Sequence, residues 1–497
     1  MTNNPYFSVE SADARWIWVL TIGLAVLLGL RLLALAANGT DLFFDEAQYW
    51  AWGQEPAFGY YSKPPLIGWI IGVAGASCGN GEFCIRLPSP LIHTGSAIAV
   101  FFLGRQLYDT RTGALSGLAF ATLPGVSLSA GLISTDVPLL LCWAIALVGF
   151  AALFNTRSFW PVLVLGLAFG IGLNAKYAMA WFLLCLSILL VMAPERRTVL
   201  KDYRLYLGLG LGLLLIVPNL VWNYTNSFAT FSHTADNAKW TGSLLHPVKA
   251  LEFFVAQFGV FGPILFGSLL VIVWRAWKQR LPEADRMLLA FSVPIIALIT
   301  VQALISRAHA NWAATAYVAA TVLVVATMVR EAAWEWLKGS FVVNVAAMIL
   351  IAVGTISAGR VTLPFGSDPF ARILGWREVA EATQAKLAKA RSAGQPFTAV
   401  ITNDRAVTAE LLYYMRDEPT PVLAWRRRAR PRDHFELTRP LMPGTAGPVL
   451  LVVLGQSKAP IRSAFATSEK IGERELPAGN NAHRRVTFYA LSGYKGR

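Results

Sequence analysis

The chain has 497 residues, of which 55% are hydrophobic and only 14% charged, with a formal net charge of +14. Soluble domains carry about 25% charged residues, so the composition excludes an ordinary soluble protein and points to one built in a bilayer. The mean hydropathy of +0.50 agrees. The basic balance is no argument for a nucleic-acid partner, because the cations cluster in loops between apolar runs, where Lys and Arg set topology.

Residues 1–15 are polar, and the apolar run 16–37 that follows is long enough to span a membrane. It exceeds the hydrophobic stretch of a secretory signal, so it reads as a retained span. Further apolar runs follow at 86–104, 112–130, 137–154, 159–174, 177–193, 204–222, 250–274, 287–305, 312–329 and 340–358. The predicted fold class is therefore an all-α polytopic membrane protein of about eleven transmembrane helices over residues 1–360.

Alternate loops hold Arg105 and Arg111; Arg157; Arg196, Arg197, Lys201 and Arg204; Arg275, Lys278, Arg280 and Arg286; Arg330 and Lys338. The remaining loops are lean, with Lys63, Arg86, Lys176, Lys239, Lys249 and Arg307. The positive-inside rule makes the first set cytoplasmic. The N-terminus then lies inside, and the 41–77 segment, Asp136, Lys176, the 223–249 loop, Arg307 and the C-terminus lie outside.

The composition changes near Val361. Residues 361–497 carry 21 Lys and Arg against 12 Asp and Glu. They read as a small α/β periplasmic domain: helices at 376–391 and 405–415, and strands in FTAVITND, PVLAW, GPVLLVVL and RRVTFYAL. Residues 426–432 hold five Arg, suited either to anionic headgroups or glycans or simply to a solvated loop. Cys142 and Cys185 fall inside apolar runs as packing residues. Cys78 and Cys84 bracket a Gly-containing turn and are either a disulfide or two free thiols.

The chemistry concentrates in Asp41 to Trp69, DLFFDEAQYWAWGQEPAFGYYSKPPLIGW. The apolar stretch after Lys63-Pro64-Pro65 is too short to cross a bilayer, so the segment is predicted to lie along the membrane surface. Acids at a membrane edge are costly unless they work. With Asp45 and Glu46 the topology gathers Lys63, Arg86, Asp136, Lys176, Arg307 and His309 at one face. An acid there can take a proton from an attacking hydroxyl, and cations can stabilise a departing phosphate. That combination fits group transfer from a lipid-linked phosphate donor.

Each residue also has a plainer role available. Asp45 and Glu46 project about 100° apart on a helix, so they do not form a dyad, and both suit a helix N-terminus. Asp136 closes Ser134-Thr135-Asp136, a natural cap. Lys176 can snorkel, Arg86 can anchor a span, and Tyr60 and Tyr61 suit either sugar stacking or an interfacial belt. His309 is a metal ligand or a hydrogen-bonding residue, so a divalent metal is left open as a cofactor.

In DEAQYW, GYYSKPPL, EFCIRLPS and STDVPLL, over residues 15–360, the sequence resembles the GT-C glycosyltransferases, namely protein O-mannosyltransferases and the family 39 and aminoarabinose-transferase-like bacterial enzymes. The resemblance implies a multi-pass inner-membrane transferase that uses a polyprenyl-phosphate sugar and works on the periplasmic face. It implies Asp45 as catalytic acid with Glu46 beside it, Asp136 as second acid, and Lys63, Lys176 and Arg307 as phosphate-side cations. Two positions depart from the aminoarabinose pattern: Ser62 stands where an acid commonly precedes the Lys, and Gln48 stands where Arg is frequent. The expected function is inverting transfer to lipid A, lipopolysaccharide core, another envelope glycan or a protein Ser/Thr. The rival from another class is a flippase of lipid-linked sugar, which would show repeated halves and broken midplane helices.

Overall fold

A computed structural model describes residues 5–238, 245–360, 368–445, 447–455 and 459–496. Lys239 and the predicted boundary at 361 lie outside these. The described chain is mostly helical, with one small C-terminal sheet. It forms two compact units.

The first unit comprises Met1–Ala36, Lys63–Ile67 and Arg86–Ala352. Five helices of the described chain are long and apolar enough to cross a membrane: Asp13–Ala36, Glu82–Leu107, Tyr203–Thr225, Glu283–Ile305 and Trp334–Ile356. Shorter apolar helices stand over most of the other predicted runs, among them Asp136–Ala152, Trp160–Ala175 and Ala316–Arg330. Their buried faces merge into one core around Trp143, Phe150, Phe182 and Phe291. Outward faces stay apolar as well: Leu33, Leu214 and Leu350 are exposed. A helix apolar all round belongs in lipid or in a large core.

Two local features explain how these helices meet. In Trp160–Ala175, a Cβ at Gly166 would stand 2.7 Å from the Gly208 carbonyl, and one at Gly170 would stand 2.8 Å from that of Gly212. Small residues four apart thus let this helix lie backbone to backbone on Tyr203–Thr225, the contact that membrane helices use in place of a hydrophobic drive. The run 250–274, predicted as one span, is instead two helices, Pro247–Phe261 and Pro263–Lys278, meeting at 116°. Gly262 takes φ +88°, and Pro263 has no N–H to continue the ladder. A side chain at Gly262 would also collide with Asn344.

The second unit comprises Ala37–Ser62, Gly68–Ile85 and Val353–Arg497, so it draws on both sides of residue 360. Its sheet has β1 (Ala399–Thr402), β2 (Val422–Ala424), β3 (Val449–Leu454), β4 (Phe465–Pro477) and β5 (His483–Tyr494) in the order β2-β1-β3-β5-β4. β1 pairs parallel with β2 and β3, while β5 runs antiparallel to β3 and β4. Helices Trp376–Ser392 and Arg405–Tyr414 contribute Val379, Leu387, Val407 and Leu411 to the core that meets Val400, Leu450 and Phe488 from the strands. The predicted strands at FTAVITND, PVLAW, GPVLLVVL and RRVTFYAL are β1, β2, β3 and β5. β4 is an addition, a charged edge strand with little buried surface.

The Asp41 segment is built into this unit. Asp41 accepts the Trp376 N–H at 2.9 Å, and the Tyr414 hydroxyl accepts the Leu42 N–H at 2.9 Å. Helix Phe44–Gln54 crosses helix Leu66–Cys78 where both are glycine: a Cβ at Gly53 would lie 2.8 Å from the Gly72 nitrogen. Cys78 and Cys84 are disulfide-bonded, with Cα atoms 5.5 Å apart, which resolves the pair left open by the sequence. Cys142 and Cys185 are free and buried.

Candidate active site

The ten residues singled out from the sequence fall into two groups. Asp45, Glu46, Tyr60 and Tyr61 belong to the second unit, and Lys63, Arg86, Asp136, Lys176, Arg307 and His309 to the first.

In the second unit the Phe44–Gln54 helix starts at the acids. Glu46 turns back, and its carboxylate accepts the Phe43 N–H at 2.9 Å. It is buried and serves as an N-terminal cap. Asp45 projects elsewhere, as the helical period requires. Its Oδ1 lies 2.9 Å from Nη1 of Arg405, which also donates to Gln48 Oε1 at 3.0 Å. The Arg405 guanidinium lies 4.9 Å from the centre of the Phe44 ring. About a third of each side chain in the ion pair is exposed, 34% for Arg405 and 36% for Asp45. Exposed pairs stabilise by about 0–1 kcal/mol, so this one contributes position more than stability. Arg405 was visible in the sequence only as the start of a helix; nothing local marks its partner 360 residues away.

Tyr60 and Tyr61 sit in the packing. Tyr60 stacks on Trp52 with ring centres 4.5 Å apart, and the His434 ring meets both edge-on. The Tyr60 hydroxyl donates to the Trp52 carbonyl at 2.8 Å. Burial pushes its pKa up to about 12, partly offset by the Ala57 N–H. The Tyr61 hydroxyl donates to the Pro431 carbonyl at 2.9 Å, tying the Arg-rich loop to the Asp41 segment. Burial, with Arg439 nearby, holds His434 near pKa 3, so it stays neutral. A polar cavity of about 420 Å³ opens in this unit, lined in part by Asp41, Glu82, Arg377 and Glu378. The Arg377–Glu82 pair, at 2.7 Å, sits in its wall.

In the first unit, Asp136 begins the Asp136–Ala152 helix and is the hub of a polar trio. Lys176 Nζ donates to its Oδ1 and Asn311 Nδ2 to its Oδ2, each at 2.7 Å. The Asp136 and Lys176 side chains are 11% and 17% exposed. Asn311 lies in the Arg307–Trp312 link, so Asp136, Lys176 and that link are brought together. Arg86 is 2% exposed, inside the unit rather than at a lipid surface, and Lys63 is half-buried. His309 is exposed and meets Trp312 edge-on. Among the described residues no three His, Cys, Asp or Glu side chains converge as metal ligands. Arg31, hidden in the first apolar run, is buried and donates to the Ala121 carbonyl at the end of helix Thr110–Thr122.

Comparison with known proteins places this arrangement. The family model described as dolichyl-phosphate-mannose-protein mannosyltransferase matches residues 62–222. The lipid A galacturonosyltransferase RgtD of Rhizobium johnstonii is 34% identical over 95% of this chain and 98% of its own length. The chain belongs to the GT-C glycosyltransferases. The transferase is also 29% identical to the undecaprenyl phosphate-alpha-4-amino-4-deoxy-L-arabinose arabinosyl transferase 2 of Pseudomonas fluorescens, over 41% of this chain and 40% of that one. Its fold matches the crystal structures of ArnT from Cupriavidus metallidurans, apo and bound to undecaprenyl phosphate. The TM-scores are 0.63 and 0.61 at 15% identity; the apo comparison covers 96% of this chain and 98% of ArnT. The family and enzyme class expected from the four motifs are thereby confirmed, and the mostly helical build with a small C-terminal sheet agrees with the expected fold class.

The Asp136 trio makes a measurable prediction. Removing one member of a buried ion pair costs about 3–5 kcal/mol, because the other charge is left uncompensated. Lys176→Met should lower the melting temperature of the purified transferase clearly, and adding Asp136→Leu should restore part of the loss. A double variant no more stable than Lys176→Met would show that the pair is not coupled.

Proposed function

We propose that the transferase moves a uronosyl residue, galacturonosyl in the first instance, from a polyprenyl-phosphate donor to lipid A. One observation carries this reading: identity to a lipid A galacturonosyltransferase runs end to end, over 98% of that relative. The donor is inferred from the aminoarabinose transferase relative, whose name specifies undecaprenyl phosphate. The mannosyltransferase model favours a protein acceptor less, since it matches only residues 62–222.

The chemistry is a displacement at the anomeric carbon. The acceptor oxygen bonds to that carbon as its bond to the phosphate oxygen breaks. Asp45 accepts the hydroxyl proton, and polyprenyl phosphate leaves with the bonding electron pair. Asp136 serves as second acid, holding Lys176 for the phosphate side. Lys63, Arg86 and Arg307 supply further positive charge. Glu46 holds the start of the helix that presents Asp45, and Tyr60 and Tyr61 hold its loop. A divalent ion, if used, would find carboxylate oxygen at Asp45 or Asp136 and supply further charge stabilisation. The motif pattern and the pairing of each acid with a cation or amide support these roles.

The same reading puts eleven spans in a bacterial inner membrane, with the Asp41 segment and residues 361–497 periplasmic. It draws support from the alternation of Lys- and Arg-rich loops. Reporter fusions after Tyr108 and after Arg360 should then report opposite compartments; one shared compartment would refute the span count.

Transfer itself is tested by mass spectrometry. Purified enzyme given lipid A and polyprenyl-phosphate galacturonic acid should raise the lipid A mass by one uronosyl residue. Loss of the gene should remove that species from the envelope. Unchanged lipid A in both experiments would refute the reading.

A further inference from the structure

The ion pair at Asp45 leaves part of the hydrogen-bonding capacity of its cation unused. Arg405 spends Nη1 on Asp45 and Gln48. Its Nε and Nη2 have no hydrogen-bond partner among the described residues. The guanidinium is packed on the Phe44 ring and held at its Nη1 end, so its plane is fixed while the side chain stays about a third exposed. A guanidinium edge with two parallel N–H groups matches a carboxylate in shape and charge, which a lysine ammonium does not.

Helix stability does not explain the residue. Arg405 is the first residue of Arg405–Tyr414, where the helix dipole disfavours a cation. The first-turn N–H groups of Ala406 and Val407 are already taken by the Asp404 side chain. At the Asp45 helix, Gln48 supplies an uncharged acceptor; the Asp433 carboxylate also lies within electrostatic reach of Arg405 but makes no hydrogen bond to it among the described residues.

We infer that Arg405 determines sugar specificity, holding Asp45 with one nitrogen and the carboxylate of a uronosyl donor with its open edge. The inference rests on the uronosyltransferase reading above. A neutral hexosyl donor offers a hydroxymethyl group at the same position, which makes no charge-assisted pair and leaves the guanidinium edge to water. Arg405 thereby fixes both the reacting acid and the sugar it acts on.

The test uses the full-length enzyme and two donors on the same polyprenyl phosphate, galacturonosyl and galactosyl. The readout is the ratio of their kcat/KM values, which does not depend on the fraction of protein folded. Wild type should favour the uronosyl donor. Arg405→Gln should cut that preference by about 10- to 100-fold, the range for losing hydrogen bonds to a charged group. Arg405→Lys should fall between, keeping charge but losing the fork. If Arg405→Gln lowers both donors by one common factor, the residue merely holds Asp45 and the inference is overturned. A wild type that transfers neither sugar refutes the functional reading instead. Calorimetric binding of the two donors to wild type and Arg405→Gln then decides Arg405 by itself, an unchanged affinity ratio overturning it.

Discussion

A charge taken out of water must be met by another charge or by fixed dipoles, and the three candidate-site acids answer to that constraint. Asp45 has Arg405, Asp136 has Lys176 and Asn311, and Glu46 accepts the Phe43 N–H at its own helix start. For Asp45 and Asp136 the partners come from different stretches of chain, so satisfying these two acids is also what holds those stretches in register. The Asp136 helix is tied to the 176 turn and the 307–312 link. The Asp45 helix is tied to the C-terminal sheet through Arg405, and its loop through Tyr61 and Pro431.

This dual use explains how a transferase can keep ionised groups beside an apolar structure. The pairs stop short of full burial: Asp45 and Arg405 are a third exposed and Lys176 is 17% exposed. A sealed pair would be stable and inert. A pair open on one side leaves the acid partly exposed. The Trp52–Tyr60 stack and the neutral His434 ring pack the loop against its own helix.

Much of this was legible in the sequence, for physical reasons. Apolar runs had to become helices because only helices satisfy their own backbone polar groups in lipid. The strands of the small sheet announced themselves through short β-branched and aromatic runs, as in Val449–Leu454. The four motifs were enough to reach the enzyme family. What stayed hidden depends on contacts distant in sequence or on a single glycine. The 116° break at Gly262 interrupts an otherwise continuous apolar run. β4 carries too little apolar alternation to stand out, since it is an exposed edge. Arg405 and Asn311 have no local signature; each matters because of a carboxylate far away in the chain. Tyr60 and Tyr61, which looked suited to a sugar or a membrane interface, are buried instead because the loop folds onto its own helix.

The account turns on Asp45 taking the acceptor proton, and one comparison reaches that claim directly. Single-turnover transfer by purified Asp45→Asn enzyme, with donor binding measured on the same preparation, separates chemistry from binding. General base catalysis is worth about 10²–10⁴-fold. The account predicts donor affinity near wild type with transfer slowed by at least the lower end of that range. Transfer at the wild-type rate by Asp45→Asn would contradict it and move the proton to another acid, with Asp136 next in line.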